Sequence, residues 1–178
     1  LSFCILSGLN YRFAHSYDHF HHDPDQVVRI ETIKASNNEP HGISPSALGP
    51  AVVADLSGVE AMCRYDSRFA VVKFDEKVFN ENLHFADENF FQFFDFEAVI
   101  GKPDITDQNK VCISQDVAEK YFGKEDPIGK VLVFYADGDV KLPLIVNAVF
   151  KNIPLNSSLR FNFLTHFSNQ YDGFKRVD

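Results

Sequence analysis

The sequence contains no tryptophan, only three cysteines and no long uncharged hydrophobic run. Three is an odd number, and Cys4, Cys63 and Cys112 form no C-x-x-C pair, so a disulfide scaffold and a zinc or redox motif are not expected. Basic residues are also in deficit, because 17 Lys and Arg face 25 Asp and Glu, giving a net charge of −8. An acidic chain without a Lys/Arg cluster repels phosphate backbones, so we expect no nucleic-acid partner.

Phenylalanine is abundant: the 178 residues include 19 Phe, and 45% of the chain is hydrophobic. This length corresponds to one compact domain or two small lobes with an ordinary packed core. Phe90, Phe91, Phe93 and Phe94 are spaced as one broad apolar face of a helix, so we expect them in that core. Cys112 lies in an apolar run and is expected to pack as a small hydrophobe. The sequence leaves open whether Cys63 pairs with Cys112 in an oxidising compartment.

Local patterns predict an α+β chain. Residues 27–65 resemble a β-α-β unit: β-branched residues 27–33, a helix capped by Ser44 or Ser46 and running to about Leu56, and a strand from Val59 to Tyr65. Pro50 must lie in the first turn of that helix or kink it. The later elements are a hairpin (71–74 with 77–82), a short strand (83–86), a helix (88–94) capped by Asp87, a strand (110–114), a helix (115–122) from Ser114 to Gly123, and strands 131–135 and 142–149 around the Asp137-Gly138 turn.

The first nine residues, Leu1 to Leu9, are uncharged and mostly apolar. A spanning helix needs about 20 such residues, so this segment cannot cross a bilayer alone. It lacks the basic start and small-residue cleavage site of a signal peptide. Two interpretations stay open: the buried start of a soluble domain, or the end of a transmembrane helix. The aromatic and His-rich residues 10–22 favour the second.

Four of the seven histidines lie between residues 15 and 22. On a continuous helix His15, His19 and His22 would share one face, which is plausible ligand geometry for Zn²⁺ or Cu²⁺. Asp23 and Pro24 argue that such a helix frays there, so a His-rich interfacial segment is the simpler interpretation. A soluble metal- or ligand-binding sensor using the His15–His22 cluster is therefore the alternative function.

Enzyme motifs are missing. The stretch from Gly123 to Lys130 has the wrong glycine spacing for a phosphate-binding loop, and Pro127 removes a backbone N–H that the loop would use. The sequence contains neither a G-x-S-x-G nucleophile motif nor an H-E-x-x-H helix. We therefore expect no catalytic residues, no cofactor and no ATP binding on this chain.

Five stretches occur in an order that resembles the extracytoplasmic core domain of MacB/FtsX-type ABC transporter permeases, in the form found in Gram-negative export systems for antimicrobial peptides or lipoproteins. They cover about residues 11–167. The stretches are Ser16–His21 with Val28-Arg29, Leu48–Pro50 with Val59–Ala61, Phe85–Phe94, Ala118–Lys130, and Asn152–Leu159.

This resemblance implies a porter-like lobe of β-α-β units with a smaller inserted α/β lobe, carrying no catalytic residues. The implied division is the end of the first transmembrane helix and a stalk (1–22), the first part of the porter-like lobe (23–95), the inserted lobe (96–153), and an incomplete return to the porter-like lobe (154–178). The domain would stand on the periplasmic side of the inner membrane. Its implied partners are a cytoplasmic ABC ATPase subunit, a second permease copy, and a periplasmic adaptor or cargo protein.

Overall fold

The computed structural model describes residues 11–33, 38–136 and 140–172. The apolar segment Leu1–Leu9, Cys4 and the Asp137-Gly138 turn lie outside these residues. Two short strands, β1 and β2, form an antiparallel ribbon, and all other strands join one seven-stranded sheet. The strands are β1 (Thr32–Ile33), β2 (Pro40–His41), β3 (Tyr65–Phe74), β4 (Lys77–Ala86), β5 (Ala98–Gly101), β6 (Lys110–Ser114), β7 (Val131–Tyr135), β8 (Lys141–Phe150) and β9 (Phe163–His166). The helices are α1 (Leu48–Asp55), α2 (Phe90–Phe93), α3 (Gln115–Phe122) and α4 (Asn169–Asp172).

The large sheet closes on itself. Its strand order is β5-β8-β6-β9-β4-β3-β7, and β7 also pairs with β8. The ladder therefore returns to β8 after six strands, while β5 is added to the far end of β8. The long strand β8 makes this possible, because Lys141–Ile145 pairs with β7 and Ile145–Phe150 pairs with β6.

Two hydrophobic clusters lie on the two faces of the sheet. Alternation of side chains along a strand sends Ala70 and Val72 inward and leaves Phe69 61% exposed. The first cluster packs these inward residues against Val117, Tyr121 and Phe122 of α3. The second cluster packs α2 and its neighbouring loops on the other face, and is built around Phe90, Phe150, Phe161 and Leu164, with Phe91, Phe94 and Phe96 half-buried at its border. The expectation of a phenylalanine-built core is confirmed, with Phe90 buried and Phe91 and Phe94 packed against it, whereas Phe93, also expected there, belongs to neither cluster.

Several local predictions are confirmed. The hairpin exists and is longer than predicted, because β3 and β4 pair over ten residues each and absorb the short strand 83–86. Ser114 caps the start of helix α3, where its Oγ accepts from the N–H of Val117 at 3.4 Å, and Gly123 with φ 64° caps its end. Pro50 lies in the first turn of α1.

The β-α-β unit predicted over residues 27–65 is wrong in detail. Of residues 27–33, Thr32–Ile33 alone lies in a ladder, and residues 59–64 form no strand. Val28 is 80% exposed and Ile33 65%, so these β-branched side chains lack the packed, half-buried surface that makes such residues favourable in a sheet. The mixed α+β class with a sheet-dominated core holds nonetheless.

The predicted helix caps at Ser44, Ser46 and Asp87 are also wrong. Helix α1 begins after Ala47 and α2 after Asn89, in both cases without a side-chain hydrogen bond at the cap. The Asp87 carboxylate is instead occupied by Arg64, and α2 is a single turn. The division into residues 1–22, 23–95, 96–153 and 154–178 stays a prediction; strands from the last three of these ranges share the one sheet.

Candidate functional site

Residues 11–22, which we call the stalk, are fastened to the loop 154–159 by hydrogen bonds. The Asp18 N–H donates to the Asn156 carbonyl at 3.0 Å, and the Ser158 N–H donates to Asp18 Oδ1 at 2.8 Å. The Asn156 amide donates in return to the Ser16 carbonyl at 2.8 Å and to Ser16 Oγ at 3.1 Å. We call this set of bonds between residues 16–18 and 156–158 the clasp. It joins two segments 140 residues apart in the sequence.

Local sequence prepares both halves of the clasp. Asp18 adopts a left-handed backbone conformation with φ 59°, which Asp tolerates better than most residues. Ser16 Oγ donates to the Phe13 carbonyl at 2.8 Å, which closes the turn before Asp18. In the other half, the Ser157 N–H donates to the Pro154 carbonyl and Ser157 Oγ accepts from the Leu159 N–H at 3.2 Å. Each half of the clasp is therefore a turn that is held by its own local hydrogen bonds.

The second attachment of the stalk is His21, the one histidine among residues 15–22 that is buried, with 7% exposed. Its Nδ1 accepts from the Asp95 N–H at 3.0 Å, and the Asp95 carboxylate accepts from the His22 N–H. The ring also packs against Phe20, Phe94 and Phe96, with centroids 4.0 to 5.4 Å away. Burial lowers the pKa of His21, although Asp18 and Asp95 oppose this change, so the imidazole is neutral at neutral pH.

The structure does not bring His15, His19 and His22 together as a ligand set. The chain is helical only at residues 11–14 of the stalk, and the continuous helix that the shared face requires is not formed. His15 packs on Tyr11 at 4.2 Å, His19 is exposed, and His22 lies 3.2 Å from the Asp23 carboxylate. Across the described ranges, no group of three or more potential ligands is placed to hold a metal.

A partly buried ion pair holds the residues that precede β3 in place. Arg64 Nη2 lies 2.7 Å from Asp87 Oδ1, and Arg64 Nε lies 2.9 Å from Asp87 Oδ2. The Arg64 guanidinium also stacks 4.2 Å above the Phe167 ring. Nearby, the Asn89 amide donates to the Met62 carbonyl at 2.9 Å. These contacts fix residues 62–64 against the end of β4 by side chains, where the sequence predicted a strand.

Burial shifts the pKa of several titratable side chains in and beside the core. Cys63 and Cys112 are free thiols, and burial raises the pKa of each to about 12, so neither is a thiolate at neutral pH. Tyr65 Oη lies 2.6 Å from His84 Nδ1, and burial raises the pKa of Tyr65 and lowers that of His84 to about 4. Both partners of this hydrogen bond are therefore neutral and serve packing.

Comparisons with known proteins agree with this architecture. The family model of the MacB-like periplasmic core domain matches residues 2–175. The fold is similar to the crystal structure of the periplasmic region of MacB from Actinobacillus actinomycetemcomitans, with 17% identity, a TM-score of 0.56, and coverage of 82% of this chain and 60% of that one. It is also similar to the extracellular domain of the ABC-type transporter YknZ from Gram-positive bacteria, with 19% identity, a TM-score of 0.56, and coverage of 70% and 63%.

These findings define a class of extracytoplasmic transporter domains, and the chain belongs to the MacB-like periplasmic core domain family. The family and the solved structures indicate the extracytoplasmic domain of a MacB-type ABC transporter permease. The chain spans about 60% of the length of the solved domains it resembles. No curated protein matches it. In the part of the chain that the structure describes, no helix has the length and apolar character needed to cross a membrane.

The clasp was not found from the sequence, although both of its halves lie in stretches that carry the family resemblance. The helical spacing singled out His15, His19 and His22, whereas the side chain that anchors the stalk is His21. The sequence does contain one signal for His21, which is the aromatic residue Phe20 directly before it. A histidine that is buried beside an aromatic residue needs a hydrogen-bond partner.

Proposed function

We propose that this chain is the extracytoplasmic domain of an ABC transporter permease, and that it transmits ATP-driven motion from a cytoplasmic ATPase to cargo or partner proteins outside the membrane. The observation that carries this proposal is the clasp. In such a permease the stalk continues the first membrane helix, so a stalk bonded to the domain at Ser16, Asp18 and His21 moves the domain whenever the helix moves.

Transmission of motion requires two discrete arrangements of the permease and a rigid connection from its membrane helices to this domain. The clasp and the Asp95–His21 contact supply several points of attachment rather than one hinge. The closed sheet gives the domain body few ways to deform, because each strand of its ring has a neighbour on both sides. The partners in this proposal are the ATPase subunit, a second permease copy, and a periplasmic adaptor or cargo protein, with the membrane contacted through flanking helices.

The test uses the full-length permease with its ATPase in lipid nanodiscs, carrying a spin label at Glu119→Cys on the exposed side of α3. Pulsed electron resonance measures the distance between the two permease copies without nucleotide and with ATP and vanadate. We expect two different distance distributions. Identical distributions in both states, in a complex that binds ATP normally, would contradict a role in transmission.

A further inference from the structure

The clasp joins the two longest stretches of the chain that contain no acidic residue. None of the 25 Asp and Glu residues lies in residues 1–17 or in residues 140–171, and the first acid of the chain is Asp18, in the clasp itself. The basic residues Arg12 of the stalk and Arg160 after the loop 154–159 are both exposed. Because Asp18 keeps its charge, as does Asp95 beside His21, the region is near neutral rather than basic, in a chain of net charge −8.

Large apolar side chains are exposed on both sides of the clasp. In the stalk Tyr11 is 66% exposed, Phe13 46% and Tyr17 44%, and in the loop Leu155 is 67% exposed. The Phe13 and Tyr17 rings pack edge to face with their centroids 5.6 Å apart, so they present a joint apolar surface. We call these four residues the clasp rim. Large apolar side chains exposed within one short segment mark a contact with another protein or with a membrane.

The order of residues in the stalk is that of a segment leaving a bilayer. The uncharged segment Leu1–Leu9 comes first, the ring-bearing residues follow directly, and Arg12 is the one charged residue in residues 1–17. Tyrosine is enriched at the headgroup level because its ring is apolar while its hydroxyl reaches water. An arginine there can extend its guanidinium to the lipid phosphates. The headgroup level that this order indicates lies between Leu9 and Asp18.

The clasp holds the loop 154–159 at the same level as the stalk rings. The Asn156 amide donates to the Ser16 carbonyl at 2.8 Å and to Ser16 Oγ at 3.1 Å, so Leu155 and Tyr17 are each the direct neighbour of a residue in this contact. The interfacial layer on each side of a bilayer is about 5–7 Å thick. A layer that contains Tyr17 is therefore within reach of Leu155.

We propose that the clasp rim lies in the headgroup interface of a bilayer, so that Leu155 brings the domain body itself into contact with lipid. The inference rests on the proposed function, because the bilayer is the one that the permease spans. It adds a direct contact between the domain body and the membrane, where the stalk alone would hold the body away from the lipid. The near-neutral charge of the region fits a zwitterionic lipid surface, whereas the rest of the acidic chain gains nothing from such a contact.

The test measures the accessibility of a spin label at Leu155→Cys in the full-length permease with its ATPase, in phosphatidylcholine nanodiscs without nucleotide. Oxygen dissolves in lipid and a nickel chelate stays in water, so the ratio of their collision rates with the label reports lipid contact. The matched control is Val78→Cys, which is 55% exposed and lies in the same row of the sheet as Pro143, near the start of β8, whereas the loop 154–159 follows the end of β8. A sample without either engineered cysteine gives the background.

We expect the oxygen-to-chelate ratio to be severalfold higher at Leu155 than at Val78. Equal ratios would overturn the proposal. A label at Leu155 that neither reagent reaches would show that another protein surface covers this residue, and would overturn it as well.

The unaltered permease gives a second readout. A phosphatidylcholine with a photoreactive diazirine near its headgroup is cross-linked in the same nanodiscs, and the adducts are located by peptide mass spectrometry. We expect adducts in both residues 11–17 and residues 154–159, and none in the β3–β4 hairpin. Adducts confined to residues 11–17 would overturn the proposal, because the stalk alone would then contact lipid. Both measurements are made without nucleotide, so their failure leaves the nucleotide-dependent distances that test transmission unaffected.

Discussion

Truncation of Asn156 to alanine tests the clasp most simply. The substitution removes two hydrogen bonds, from the side-chain amide to the Ser16 carbonyl and to Ser16 Oγ, and leaves the backbone carbonyl that accepts from Asp18 in place. Each such bond contributes a net amount of about 0.5–1.5 kcal/mol, so the loss is about 1–3 kcal/mol. Since about 1.4 kcal/mol is a factor of ten in an equilibrium constant, opening of the stalk should become about 5- to 150-fold more frequent.

Amide hydrogen exchange measures this opening residue by residue. In Asn156→Ala we expect faster exchange at the amides of Asp18 and Ser158, with unchanged protection in the β6 and β8 ladder. Asn82→Ala, at an exposed position on β4, is the matched control and should leave the stalk unchanged. Unaltered exchange at Asp18 in the Asn156 variant would refute the reasoning, because the stalk would then be held by something other than the clasp.

Three further outcomes follow from the core and the helices. Phe90→Ala should lower the free energy of unfolding by about 3–5 kcal/mol in urea denaturation, because Phe90 is fully buried. Phe93→Ala should lower it by clearly less, because Phe93 is not fully buried, and equal losses would contradict the placement of Phe90 in the core. Ser114→Ala should cost about 1 kcal/mol in the same assay through loss of the α3 cap, and a cost near zero would count against that cap. The pKa of His84 is about 4 in the folded protein and 6.5 in the unfolded chain, so only the unfolded state gains a proton between these pH values. The free energy of unfolding is therefore full above about pH 6.5 and falls by up to about 3 kcal/mol towards pH 4. His84→Gln should remove this part of the pH dependence, and an unchanged slope would contradict the buried neutral imidazole.

Elements with strong local signals could be predicted from the sequence. The β3–β4 hairpin has alternating side chains and a two-residue Asp75-Glu76 connection, in which Asp75 takes the left-handed backbone with φ 50°. Helix α3 has a serine at its start and a glycine at its end, and both have the expected role. In these segments the local preference and the tertiary structure agree, so neighbouring residues were enough to identify them.

The central strand β9 could not be predicted. Phe163–His166 has only four residues, and it pairs in parallel with β4 and in antiparallel orientation with β6, both far away in the sequence. Three of its residues are buried, so the alternation that marks a half-exposed strand is missing. The prediction for residues 27–33 was wrong in the opposite direction. Their β-branched composition favoured a long strand, but among the described residues they pair only with the short strand β2.

The candidate site depended on contacts that no local pattern contains. Asp18, His21, Asp95 and Asn156 come from three separate segments, and each is an ordinary polar residue in its own neighbourhood. The family resemblance marked the stretches around Asp18 and Asn156 but gave no reason for them to meet. Their contact became visible only when the backbone placed both turns side by side.

The central claim is that stalk and domain body move as one unit. The most direct measurement is the distance between spin labels at Arg12→Cys in the stalk and Glu119→Cys on α3, within one chain of the full-length permease, diluted with unlabelled copies and compared with a sample lacking both engineered cysteines. We predict one narrow distance distribution that is the same without nucleotide and with ATP and vanadate. A distribution that shifts with nucleotide, or that is broad in both states, would contradict the claim.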